Sequence, residues 1–165
     1  MTSVPERYQA WVRRLGSAVL LTVLVLALAA CGAGRADGPR IVADPARTPG
    51  ALNPDVTQET IATTVCVRGW TATIRPPQAY TDELKRRQMA EYGEQGSPHD
   101  VEEDHFIPLS IGGHPTDPRN LWPEPRPRAD EVDKLELDLH EAVCAGELTL
   151  AEAQARIARE KWARG

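Results

Sequence analysis

Between Val101 and Pro125 the chain reads VEEDHFIPLSIGGHPTDPRNLWPEP, and the side chains there that could do chemistry are Asp104, His105 and Asn120. An imidazole ionising near pH 6.5 can take and return protons at neutral pH. A carboxylate offers a hard oxygen to a divalent cation, and a carboxamide oxygen can hold an imidazole in one tautomer. The stretch from His105 to Asn120 is of a length compatible with a hairpin. Phe106, Ile107, Leu109 and Ile111, followed by Gly112-Gly113, predict a strand and a turn, and Asn120-Leu121-Trp122 opens a second short strand. From Asp130 to Val143, apolar residues at Val132, Leu135, Leu139 and Ala142 or Val143 form a helical stripe, which Gly146 ends. A hairpin followed by that helix would gather Asp104, His105, Asn120 and one helix face. Adjacent strand residues point to opposite sides, so Asp104 and His105 can share a site only at a bulge or a strand end.

This order of residues resembles the HNH endonuclease superfamily, the ββα-metal nucleases. They carry an acid-His pair on the first strand, a Gly-Gly turn, and Asn-Leu on the second. It is closer still to small secreted bacterial proteins of that type with the pattern Asp-His-x-x-Pro-Leu-x-x-Gly-Gly and then Asn-Leu-Trp-Pro-Glu. The likeness runs from about Cys66 to Trp162 and includes Gly69-Trp70, Arg75-Pro76, Leu84-Lys85 and Val143-Cys144-Ala145-Gly146. The resemblance implies an α+β fold, a ββα-metal (HNH-like) hairpin-helix core with additional flanking helices. It implies hydrolysis of phosphodiester bonds, with His105 as the base that activates water, Asn120 fixing its tautomer, and Asp104 as ligand to a divalent metal. That metal would be Mg²⁺ or, as substitutes, Mn²⁺ or Zn²⁺. The partner would be nucleic acid, DNA before RNA.

One position departs from the family pattern. Where many HNH proteins place a helix His or Asn as second metal ligand, this chain has Arg126 to Asp130, with Pro125 and Pro127 interrupting. The available substitutes are Asp130, Asp133, Glu136 and His140. The last three share a helix face, although a solvated acidic face is the plainer account. Arg119, Arg126 and Arg128 are candidates for phosphate contact, and Arg75 and Lys85 for bracing the fold. Trp70 and Trp122 could stack on bases, but next to Gly and Pro in a small domain they read as core. His99, His105 and His114 lack the spacing of a helical zinc site.

Export is legible at the N-terminus. Arg13 and Arg14 precede the apolar run from Leu15 to Ala30, which closes on Leu28-Ala29-Ala30-Cys31. A charged start, an apolar middle and small residues before a cut describe a secretory signal. The last four residues resemble the bacterial lipoprotein box, whose cysteine, here Cys31, becomes the lipidated first residue of the mature chain. The alternative is an uncleaved signal anchor. Residues 1 to 30 are thus a signal peptide, and 31 to 52, rich in Gly, Pro, Ala and Arg, a flexible tether from an extracytoplasmic membrane surface. The HNH-like domain is expected over 53 to 165.

The signal peptide takes with it Arg7, Arg13, Arg14 and Glu6 from the chain's 19 basic and 24 acidic residues, so the remainder carries 16 against 23, near −7. That charge excludes binding to polyanions by bulk electrostatics, which needs many Lys and Arg contacts. It also leaves a second reading open, a non-catalytic surface lipoprotein that keeps the scaffold as a binding or structural module. In an exported compartment Cys66 and Cys144 favour a disulfide over two free thiols; closing so long a loop would contribute roughly 4 kcal/mol.

The remaining elements follow from local signals. Asn53-Pro54 should cap a short helix to about Ala62, and Thr64 to Ile74 alternates as an extended segment. Thr81-Asp82-Glu83 should start a helix to about Tyr92. Thr149 and Glu152 form a capping box for a last helix that carries Ile157 and Trp162 toward the core.

Overall fold

The computed structural model describes residues 41 to 163. The signal peptide, Cys31 and the first part of the expected tether lie outside the described residues. Two strands, β1 (Val101–His105) and β2 (Leu121–Pro125), form one antiparallel hairpin with Asp104 opposite Trp122 and His105 opposite Leu121. Among the described residues four α-helices accompany them: α1 (Trp70–Ile74), α2 (Gln78–Glu91), α3 (Arg126–Ala145) and α4 (Leu150–Ala163). The described part is therefore an α+β fold in which the hairpin leads directly into α3.

The core is Val101, Phe106, Ile111 and Trp122 from the hairpin region packed on Leu139 and Val143 of α3 and Ile157 of α4. The Trp162 ring lies 5.2 Å from Phe106, so both ends of the last helix are anchored. The capping box forms as expected: Thr149 N–H donates to Glu152 at 2.9 Å and Glu152 N–H donates to Thr149 Oγ1 at 3.2 Å. Gly146, at φ +76°, ends α3 where a side chain would be strained. Cys66 and Cys144 are bonded, their Cα atoms 5.5 Å apart, tying the segment before α1 to the end of α3.

Several expectations about the elements are corrected. The tether does not reach residue 52, because Ile41 and Thr48 are buried and Gly50 N–H donates to the Arg119 carbonyl at 3.0 Å. Asn53 N–H also donates to the Gly112 carbonyl, so residues 41 to 53 are part of the folded domain. Asn53 does not cap a helix to Ala62; turns fill that stretch and only a short 3-10 turn, Ile61–Thr63, forms. Thr64 to Ile74 is not extended: Gly69, at φ +82°, reverses the chain and α1 follows. Helix α3 begins at Arg126 rather than Asp130, because Pro127 sits in its first turn, where a missing N–H costs nothing. The start of α2 also falls early, at Gln78 directly after Pro77.

The apolar stretch from Phe106 to Ile111 is not strand either. Strand β1 ends at His105, and Leu109–Ile111 is a 3-10 turn. Two features hold this loop closed. The Asn120 carboxamide replaces a strand partner, accepting from Ile107 N–H at 2.8 Å and donating to the carbonyls of Ile107 and His114, each at 3.0 Å. At Gly113 a Cβ would lie 1.7 Å from the Ile107 carbonyl oxygen, so no other residue allows this closure. The Gly-Gly pair is thus explained at its second member by close approach, and at Gly112 by φ +83°.

Candidate active site

His105 is the last residue of β1 and 5 % exposed. Its Nε2 lies 3.0 Å from the Pro115 carbonyl. A carbonyl only accepts, so Nε2 carries the hydrogen and Nδ1 of the neutral ring has a free lone pair. Burial lowers the pKa of this imidazole; the Pro115 bond and Asp104 oppose the shift, and Arg75 and Lys161 add to it. The ring is accordingly in its basic form at neutral pH.

The strand end expected from the Asp104-His105 pair is present, with the ladder regular up to it. Both residues border a polar recess of about 100 Å³, together with Thr71, Arg75, Ser110 and Glu136. Asn120 does not reach the imidazole. Fully buried, it holds His114, the neighbour of Pro115, and so positions His105 through the backbone carbonyl. Its own carbonyl accepts from Phe106 N–H at 2.8 Å, next in the chain after His105.

Beneath the recess lies Lys161, fully buried on the last turns of α4. Its ammonium donates to Asp104 Oδ2 at 2.8 Å, the His105 carbonyl at 3.0 Å and Glu124 Oε2 at 3.3 Å, which uses its three hydrogens. Glu136 Oε1 lies 2.9 Å from the same nitrogen as an ion-pair contact. Burial opposes ionisation of Asp104, but Lys161 outweighs it and holds that carboxyl below its usual range. Glu124 is pushed up to about 8 and Glu136 to about 7, in both cases by burial against the pull of Lys161. Burial alone would discharge Lys161; the carboxylates of Asp104, Glu136 and Glu124 reverse that and raise its pKa.

The other expected site residues fall elsewhere. Asp133 is exposed on α3. His140 bonds the Val65 carbonyl through Nε2 at 3.0 Å and borders a different cavity, about 330 Å³, beside Cys66, Arg68 and Gly69. One more turn of α3 carries it past Asp104, so a shared helix face did not make a shared site. Arg119 pairs with Asp117 at 2.6 Å, Arg126 with Glu102 at 3.1 Å, and Arg128 donates to the Ile41 carbonyl while stacking over Trp122. None of these arginines borders the His105 recess. Arg75 does, exposed, with no hydrogen bond or ion pair at its guanidinium among the described residues. Trp122 is fully buried and Trp70 packs against the core, as read from the sequence. Lys85 braces the fold, donating to the Pro98 and Val101 carbonyls.

The divalent ion implied by the HNH resemblance does not fit these residues. The oxygens of Asp104, Glu124 and Glu136 that converge do so on the Lys161 ammonium. Among the described residues no three His, Cys, Asp or Glu side chains are arranged to hold a metal. No family model, no curated protein and no solved structure matches this chain.

Proposed function

We propose that the protein hydrolyses phosphodiester bonds of nucleic acid outside the cytoplasm, with His105 as general base. The observation that carries this reading is an imidazole whose Nε2 is fixed by Pro115, so that its base is Nδ1, on a residue that borders one polar recess together with Arg75. As a water oxygen forms its bond to phosphorus, Nδ1 takes the released proton, the P–O bond to one sugar oxygen breaks, and that departing oxygen takes its proton from solvent water. Arg75 supplies planar, permanently charged donors for the phosphate oxygens. Asp104 and the Pro115 carbonyl favour the imidazolium that forms. The site resembles the HNH arrangement in its Asp-His, Gly-Gly and Asn-Leu order; no step runs through a metal. The Cys66–Cys144 disulfide is consistent with an exported, extracytoplasmic setting, in which the lipoprotein box at Cys31 would anchor the chain to a membrane.

The test is nicking of supercoiled plasmid by the purified chain at neutral pH. Nicked circles accumulating with wild-type protein and absent with His105→Ala support the reading; equal nicking by both assigns the activity to something else.

One observation favours a second reading, a non-catalytic surface lipoprotein that uses this scaffold for binding or structure. Three carboxylates beside His105 converge on one buried ammonium, an arrangement that a purely structural role also explains. Under it, wild-type protein nicks nothing.

A further inference from the structure

Lys161 meets oxygens from four sources: Asp104 and the His105 backbone on β1, Glu124 on β2, and Glu136 on α3. Residues so far apart in sequence converge on one atom, which makes this a built cation site rather than a chance surface pair. Its distances, 2.8 to 3.3 Å, are those of N–H···O bonds; a Mg²⁺ or Ca²⁺ cage would draw its oxygens to about 2.0 to 2.6 Å and use six or more. The nitrogen cannot swing aside cheaply, because leaving would strand the fully buried Glu124 without its counter-charge. A divalent ion entering beside it would meet a like charge at short range in a medium that screens poorly.

We propose that the Lys161 ammonium is the resident cation of this site, filling the oxygen cage where the HNH resemblance calls for a divalent ion. The protein then neither binds nor needs such an ion there. Lys161 is a positioning residue: it fixes Asp104 and the His105 backbone, and Arg75 is left to face the phosphate. The claim about binding stands alone; the claim about need rests on the nuclease reading.

The experiment titrates Mn²⁺ into the full wild-type chain, followed by electron paramagnetic resonance of the free ion, beside plasmid nicking with and without EDTA. The expected result is a free-ion signal undiminished by wild-type protein and nicking unchanged by EDTA. Lys161→Ala, its cage vacated, should take up one Mn²⁺ and melt at a higher temperature as Mn²⁺ is added. Wild-type protein that binds one Mn²⁺ and loses it on Asp104→Asn overturns the proposal, as does a folded Lys161→Ala indifferent to Mn²⁺. EDTA that abolishes wild-type nicking overturns it too. Should Lys161→Ala fail to fold, the wild-type titration still decides. Absence of nicking in every condition defeats the nuclease reading while the titration judges the cation claim.

Discussion

His105 and His140 each set Nε2 3.0 Å from a backbone carbonyl, Pro115 in one case and Val65 in the other. They differ in what lies around them. His105 closes a strand beside Asp104, Glu136 and Arg75, over a buried ammonium. His140 sits well inside α3 beside the disulfide, in a cavity bordered by Val65, Val67 and Gly69. The same ring with the same fixed tautomer becomes a candidate base in one place and a helix-to-loop strut in the other. A residue type at a helical spacing therefore says less than the charges it faces.

Four substitutions bear on this contrast. The largest expected effect is on catalysis: His105→Ala should lower the nicking rate by about 10² to 10⁴-fold, the usual worth of a general base. Asn120→Ala should come next, because it leaves the Ile107 N–H and the Ile107 and His114 carbonyls without partners in a buried loop. A loss of about 3 kcal/mol in urea unfolding is expected, with a fall in nicking as the Pro115 carbonyl loosens.

Glu103, on the other face of β1 from Asp104, sharpens the point about company. Both its oxygens are buried without a hydrogen bond, and burial pushes it up to about 8. The native state thus keeps a proton that the unfolded chain, titrating at 4.5, has already released. Stability should fall as pH rises between those two values, by up to about 1.4 kcal/mol per unit. Glu103→Gln should remove that part of the slope in unfolding measured at several pH values. Glu124 and Glu136, raised in the same direction, should leave a residual slope. The smallest effect is the control: His140→Ala should leave nicking within about twofold, since its hydrogen bond goes to the Val65 carbonyl, outside the His105 recess.

The hairpin, its lead into a helix, the capping box and the Cys66–Cys144 bond were legible because each has a short-range or compartmental signal. The recess was half legible. Asp104 and His105 are adjacent, whereas Arg75 follows α1, far upstream, and Lys161 lies near the end of α4, at the far side of the domain's sequence. Between Glu160 and Trp162, a lysine reads as a solvated helix position; only tertiary packing reveals that it meets three acids. Thr64 to Ile74 misled because β-branched alternation suggests a strand, while a left-handed Gly69 and the disulfide at Cys66 impose turns and a helix. Phe106 to Ile111 misled for a related reason. Its apolar residues are buried by loop closure, with the Asn120 side chain supplying the hydrogen bonds a neighbouring strand would have given.

The most direct test is the side-chain nitrogen NMR spectrum of His105, followed through a pH titration of the full chain. The expected result is a neutral ring at pH 7 with its hydrogen on Nε2, titrating below the usual 6.5. A ring protonated on Nδ1, or still charged at pH 7, would contradict the assignment of His105 as the base.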